Sequence, residues 1–207
     1  DSGLERGLLE GELNNRITVP FCPESSLSGI GNTDFMPAVW YRRVVTVPDD
    51  WAGSRVLLHF QAVDYDATVW VNGIEVGRHR GGFTPFTCDI THVAHPGMEA
   101  VIVVRARDDA REWKPMGKQS QDYANAGCNY TRTTGIWQTV WLEPAPRTAL
   151  ERPRITPDIT NGCFYIEQRL DGAREPGLHI RVRLCTESGE IARVDCPADQ
   201  DFQPKAM

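Results

Sequence analysis

Apolar and polar residues alternate with a period of two along most of this chain, in short runs closed by proline, glycine, asparagine or aspartate. That period marks half-buried strands, whose side chains point to opposite faces in turn. Residues 39–47 are rich in β-branched and aromatic side chains and are closed by Pro48, Asp49 and Asp50. Residues 54–62 place Val56, Leu58 and Phe60 on one face, and 65–71 place Tyr65, Ala67, Val69 and Val71 together. The second run meets Asn72-Gly73, a pair that tolerates positive φ at both turn positions and so predicts a hairpin returning over 74–76. Runs 83–89, 100–107 and 136–143 supply further strands. Both alternating sets in 100–107 are largely apolar, which predicts cover on both faces. No stretch carries an amphipathic helix longer than two turns. Together these runs predict an all-β fold, an antiparallel jelly-roll sandwich.

The pattern changes near Pro144 and Pro146, where the chain lacks ladder donors, and this places a domain boundary at about residue 147. Residues 1–147 then form the first domain and 148–207 the second. Beyond the boundary, "PRITPDI", "CFYIEQRL", "LHIRVRLC" and "IARVDC" read as strands with turns at Asn161-Gly162 and Ser188-Gly189. So short a piece falls below the roughly 100 residues and seven strands of an immunoglobulin-like sandwich. It reads as a partial sandwich with open edges and an uncovered apolar face, part of something longer. Residues past about Asp195 are expected to be mobile or held by a partner.

Composition narrows the function class. With 207 residues, 41% of them apolar, 24% charged and a net charge of −6, the chain is ordinary globular protein without the basic face that nucleic acid requires. No apolar run approaches the roughly 20 residues that cross a bilayer. Residues 1–12 lack a basic segment followed by an apolar one, so no signal peptide is visible. The six cysteines have no CxxC spacing and are expected to be free thiols, which favours a reducing cytoplasm. The five histidines are scattered, with no ligand set around His92 and His95, so neither a metal nor another cofactor is expected.

Candidate chemistry is therefore carboxylate chemistry. Gly81-Gly82 lies between strands, not before a helix, and no serine sits in a nucleophile elbow. Asp108-Asp109 follows an apolar strand and opens a long polar loop, 108–135. Ordered loops of that length are commonly functional. Trp113 and Tyr123 offer flat apolar faces to a sugar ring, while Asp108, Asp109, Asn125, Asn129 and Arg132 offer groups that bind hydroxyls. The same composition also describes a solvated loop whose aromatics fold back onto the sandwich.

Several stretches resemble the N-terminal part of glycoside hydrolase family 2, the family of β-galactosidases, β-glucuronidases and β-mannosidases. These are "ITVPFCPESSLSGIG" (17–31), "VWYRRVVTVP" (39–48), "ATVWVNGIEVGRHRGGFTPFTCDIT" (67–91) and "YTRTTGIWQTVWLEP" (130–144). The resemblance implies a jelly-roll, sugar-binding-type domain, then an immunoglobulin-like domain, then a catalytic (β/α)₈ barrel of roughly 250 residues, for which these residues leave no room. It also implies that the acid/base glutamate, which the family carries in an Asn-Glu pair, is absent, as is the nucleophile. A non-catalytic piece of a retaining glycoside hydrolase is expected, β-galactosidase-like ahead of glucuronidase or mannosidase.

By the same resemblance, an aspartate after the penultimate jelly-roll strand binds a sugar hydroxyl. Here that residue is Asp108, or Asp109 if the strands align one residue later; "GKQ" (117–119) accompanies that arrangement in one sub-group. Arg132 and its neighbouring threonines are expected to hold the Asp108 loop in shape, Arg132 through a carboxylate. The family's usual opening strand has no match before Ile17. The implied partners are a carbohydrate substrate, the downstream barrel and a homo-oligomeric copy of the chain. Two readings stand beside this one: a self-sufficient lectin-like module, and an architectural domain that touches no sugar.

Overall fold

The structure, a computed structural model, describes residues 2–173, 175–198 and 204–206. The chain divides into two compact units, Asp1–Pro144 and Ala145–Met207. In the first, the strands are β1 (Ala38–Thr46), β2 (Arg55–Phe60), β3 (Val63–Asp64), β4 (Asp66–Val71), β5 (Ile74–Arg80), β6 (Phe86–Asp89), β7 (Glu99–Arg107), β8 (Gly135–Ile136) and β9 (Val140–Ala145). They form a four-stranded sheet in the order β1-β7-β4-β5, a three-stranded sheet β6-β2-β9 and a short β3-β8 ribbon. Val56, Leu58 and Phe60 from β2 bury against Ala67, Val69 and Val71 from β4 and Ala100, Ile102 and Val104 from β7 in one core cluster. This is the all-β sandwich that the period-two pattern predicts, because only a two-sheet stack covers one apolar face of every strand.

The hairpin forms at Asn72 (φ 51°) and Gly73 (φ 80°), both in the left-handed region. The Asn72 side chain does more than permit the turn: Oδ1 accepts from the Val101 amide at 2.8 Å and Nδ2 donates to the Val93 carbonyl at 2.8 Å. The return strand β5 runs on to Arg80, beyond the apolar run that ends at Val76. It is an edge strand, held by main-chain bonds to β4 and kept polar by Glu75, Arg78, His79 and Arg80. In β4, Thr68 and Trp70 are buried as well as the alternate set, since Trp40 stacks on Trp70 at 5.6 Å and the Arg105 guanidinium lies 5.8 Å from the Trp70 ring.

Two expected strands differ. The run 136–143 is broken: β8 pairs with β3, and the chain then crosses to pair β9 with β2. At the crossing, Trp137 Nε1 donates to the Gly82 carbonyl at 2.8 Å. The run 83–89 becomes a strand only at Phe86, because the Gly81 φ of 146° and the donorless Pro85 keep the preceding residues out of a ladder.

The second unit contains β10 (Thr148–Leu150), β11 (Arg154–Asp158), β12 (Cys163–Glu167), β13 (Leu170–Gly172), β14 (His179–Thr186), β15 (Gly189–Pro197) and β16 (Pro204–Ala206). They pair as β10-β13, β11-β12-β16 and β14-β15, with turns at Gly162 (φ 63°) and Gly189 (φ 128°). Its apolar cover is thin: Leu150, Ile155, Ile159 and Ile191 are exposed, and among the described residues only Ala145, Cys196 and Ala198 are buried hydrophobics. Of the stretch past Asp195, where mobility or partner contacts are expected, residues 199–203 and 207 lie outside the described residues.

Asn72 separates turn strain from hydrogen bonding. Replacing it with glycine keeps the positive φ but loses both side-chain bonds, which costs about 2 kcal/mol. Alanine loses the bonds and adds left-handed strain, for a total of about 3 kcal/mol. Urea midpoints at constant slope give the comparison; equal midpoints for the two variants mean that the turn carries no strain.

Candidate functional site: a buried carboxylate cluster beneath the 108–134 loop

The loop leaves β7 at Arg107 and returns at β8. Its base is fixed by main-chain bonds, from the Asp108 amide to the Pro37 carbonyl at 3.0 Å and from the Tyr65 amide to the Arg107 carbonyl at 3.3 Å. These bonds bring the end of β7 beside the end of β3, so Asp108 and Asp64 become neighbours. Asp108 is only 8% exposed: one carboxylate oxygen is ion-paired with Lys114 Nζ and the other lies 3.4 Å from the Thr134 hydroxyl. It sits at the strand end, outside the apolar core cluster, under its own loop. Lys114 reaches back six positions to Asp108, donates also to the Asp109 carbonyl at 2.5 Å, and lies 5.4 Å from the Tyr65 ring centroid. Asp109 itself is exposed, its carboxylate Oδ1 accepting from the Arg111 amide at 2.9 Å.

Beneath this pair lie acids that the sequence pattern does not single out. Asp64 is 1% exposed; its Oδ2 accepts from Gln119 Nε2 at 2.7 Å, and its Oδ1 has no hydrogen-bond donor among the described residues. Burial first, and then the Asp108 carboxylate, push the Asp64 carboxyl up to about 6, against the opposing pull of the Gln119 bond and the Lys114 charge. Glu24, also buried, accepts from the Thr134 amide at 3.2 Å through Oε2. Tyr41 Oη accepts from the Ile136 amide at 3.1 Å, and burial raises the phenol above its ordinary range.

Arg132 is 4% exposed and holds the loop differently from expectation. Instead of a carboxylate it binds three carbonyls, those of Ser120 (3.2 Å), Asp122 (2.9 Å) and Thr33, with its guanidinium 3.8 Å from the Phe35 ring centroid. The physical reason is local: the outgoing arm of the loop and the segment before β1 leave main-chain acceptors without ladder partners, and a planar fork of donors serves several at once. Around it, the Thr133 amide donates to Gln119 Oε1 at 2.8 Å, and Thr131 Oγ1 accepts from Asn125 Nδ2 at 3.0 Å. Of the remaining candidates, Trp113 is fully exposed and Tyr123 largely so, its edge against Phe35 at 4.9 Å. Asn129 is exposed, its amide donating to the Ala126 carbonyl at 3.1 Å. The structure thus joins Asp108 to Arg132 through one loop frame, with Asp109 and Trp113 facing outward.

The sequence reading passes over Asp64, Glu24 and Lys114, and meets Gln119 only as the last residue of "GKQ" (117–119). Of the first three, Asp64 alone leaves a signal, a charge set directly before the apolar alternation of β4. Among the described residues, no group of three or more His, Cys, Asp or Glu side chains is placed to hold a metal ion. All six cysteines are free thiols. No helix among the described residues is long and apolar enough to cross a membrane.

Two outcomes follow from these charges. Lys114→Met strands the Asp108 carboxylate under the loop and costs about 3–5 kcal/mol, while adding Asp108→Asn recovers much of the loss. Urea unfolding of the single and double variants measures both. The folded state holds the Asp64 proton more tightly than the unfolded chain, so this group's contribution falls as pH rises from about 4 to about 6. Asp64→Asn removes that slope: relative to the parent protein it gains about 3 kcal/mol between pH 4 and pH 7. A pH-independent difference between the two overturns the assignment.

The model of the family described as glycosyl hydrolases family 2, sugar binding domain, matches residues 27–146. A β-glucuronidase of Paenibacillus borealis is 32% identical over 173 residues, covering 77% of this chain and 28% of the relative. A β-galactosidase of Thermoanaerobacter pseudethanolicus is 36% identical over 113 residues, covering 53% of this chain and 14% of the relative. The solved β-glucuronidase of Ruminococcus gnavus in complex with D-glucuronic acid superposes with a TM-score of 0.74 over all of this chain and 36% of its own, at 20% identity, a likeness of fold. This chain therefore spans less than a third of the length of these two sequence relatives. With its hairpin, its sandwich and its long loop between β7 and β8 in place, the chain belongs to glycosyl hydrolases family 2 and carries the sugar binding domain of that family.

Proposed function

We propose that this chain is a non-catalytic portion of a retaining β-glycosidase and that its 108–134 loop helps to shape the sugar pocket. In such enzymes two carboxyl groups do the chemistry, one protonating the leaving oxygen and one forming a glycosyl intermediate about 5 Å away. The observation that carries the reading is the loop itself: a buried frame of Lys114, Asp108 and Arg132 holds an outward face bearing Asp109 and Trp113. Such a face supplies a carboxylate acceptor for hydroxyls and an indole for the apolar side of a pyranose. Asp108, the first choice by strand alignment, contacts sugar only if Lys114 gives way, so the open Asp109 is the better placed of the two. The Paenibacillus borealis relative named β-glucuronidase matches a larger share of the chain than the Thermoanaerobacter pseudethanolicus relative named β-galactosidase, which makes aryl β-glucuronide and aryl β-galactoside the two substrates to compare.

Full-length enzyme carrying Asp109→Ala tests the reading. KM for the better nitrophenyl glycoside rises about tenfold, equivalent to one lost hydrogen bond of about 1.4 kcal/mol, while the thermal midpoint stays within about a degree. Asp108→Asn lowers both thermal stability and kcat/KM. Unchanged kinetics in both variants make the domain architectural. Calorimetric binding of simple glycosides to the 207 residues alone favours a lectin-like module.

A further inference from the structure

We infer that Gln119 is a positioning residue: its side-chain amide ties both arms of the 108–134 loop to β3 and so decides which of two buried carboxylates takes the Lys114 ammonium. The inference rests on the loop's proposed part in sugar recognition. The amide is used at both ends. Nε2 donates to Asp64 Oδ2 at 2.7 Å and Oε1 accepts from the Thr133 amide at 2.8 Å, with the residue 8% exposed. One side chain thus spans the outgoing arm, the returning arm and the sandwich. Around it the arms form a short parallel bridge between Gln119 and Tyr130, with the Ser120 amide on the Tyr130 carbonyl at 2.8 Å and the Tyr130 amide on the Lys118 carbonyl at 3.0 Å.

Charge gives the clamp its second role. The groups facing Asp64 are the carboxylates of Asp108 and Glu24 and the ammonium of Lys114, so with Asp64 itself the cluster has three acids to one base. A buried ammonium pairs with whichever carboxylate is less well served. Because the Gln119 amide satisfies one Asp64 oxygen, Lys114 is left to Asp108. The same ammonium caps the Asp109 carbonyl, so its choice fixes the turn from which the exposed Asp109 and Trp113 project. Without the amide, both Asp64 oxygens compete for Lys114, and the outgoing arm loses its anchor. Arg132 does not replace it, since its hydrogen bonds run to carbonyls of residues 33, 120 and 122 and none to β3.

Two substitutions in the full-length enzyme test this, read by hydrogen exchange at the Thr133 amide, normalised to intrinsic rates, and by steady-state kinetics. Gln119→Ala lowers protection of that amide at least tenfold and raises KM more than it lowers kcat. Gln119→Glu keeps the acceptor for Thr133 but sets a carboxylate against Asp64. Its protection is therefore poor at pH 8 and recovers severalfold at pH 5, where the two carboxyls share a proton, whereas the parent enzyme shows no such recovery. Parent-like protection in Gln119→Ala overturns the inference, as does pH-independent protection in Gln119→Glu, which carries the test if the alanine variant does not fold. Loosened arms with unchanged KM uphold the clamp and count against the loop's contact with sugar.

Discussion

A single buried ammonium holds the functional end of this domain together. Lys114 Nζ serves the Asp108 carboxylate and the Asp109 carbonyl while sitting beside Asp64 and the Tyr65 ring. The long loop has almost no ladder and little apolar surface, so hydrophobic burial cannot order it. Charged and amide side chains do so instead: Lys114 at the outgoing arm, Gln119 across the middle and Arg132 at the return. The cost of such a frame is electrostatic, and it shows in the raised Asp64 carboxyl and in the carboxylate oxygens of Asp64 and Glu24 that find no donor among the described residues.

The sandwich supplies what that frame needs, a rigid rim. β7 is central in its sheet, paired on both sides by β1 and β4, and its end can therefore be placed to within the tolerance of two ladders. The β3-β8 ribbon fixes the other side of the loop, with the Tyr41 hydroxyl on the Ile136 amide. Recognition groups on a loop are useful in proportion to how firmly the scaffold fixes the ends of that loop. The second unit is built differently, with exposed isoleucines and few buried apolar residues.

Much of the fold was legible because strand formation is a local matter. The alternation around Val56, Leu58 and Phe60 names its own buried face, and Asn72-Gly73 names its turn. Where the reading missed, a non-local pairing had intervened. The run 136–143 alternates well enough for one strand, yet its two ends pair with different sheets. Of the site, the loop, its two aspartates and the role of Arg132 as its holder were visible, but the partner of Arg132 was not, since carbonyls without ladder partners leave no mark in composition.

By itself, then, the sequence determined the strands, the turn, the family and the pair of aspartates at the end of β7, all properties of neighbouring residues or of short motifs. Tertiary structure alone decided that Asp108 is covered while Asp109 is open, and that Asp64, Gln119 and Lys114 belong to one cluster. Those residues are 55 positions apart at the Asp64–Gln119 bond. The physical reason is that burial and through-space charge depend on which strand ends meet, and only the closed sandwich brings β3 and β7 together.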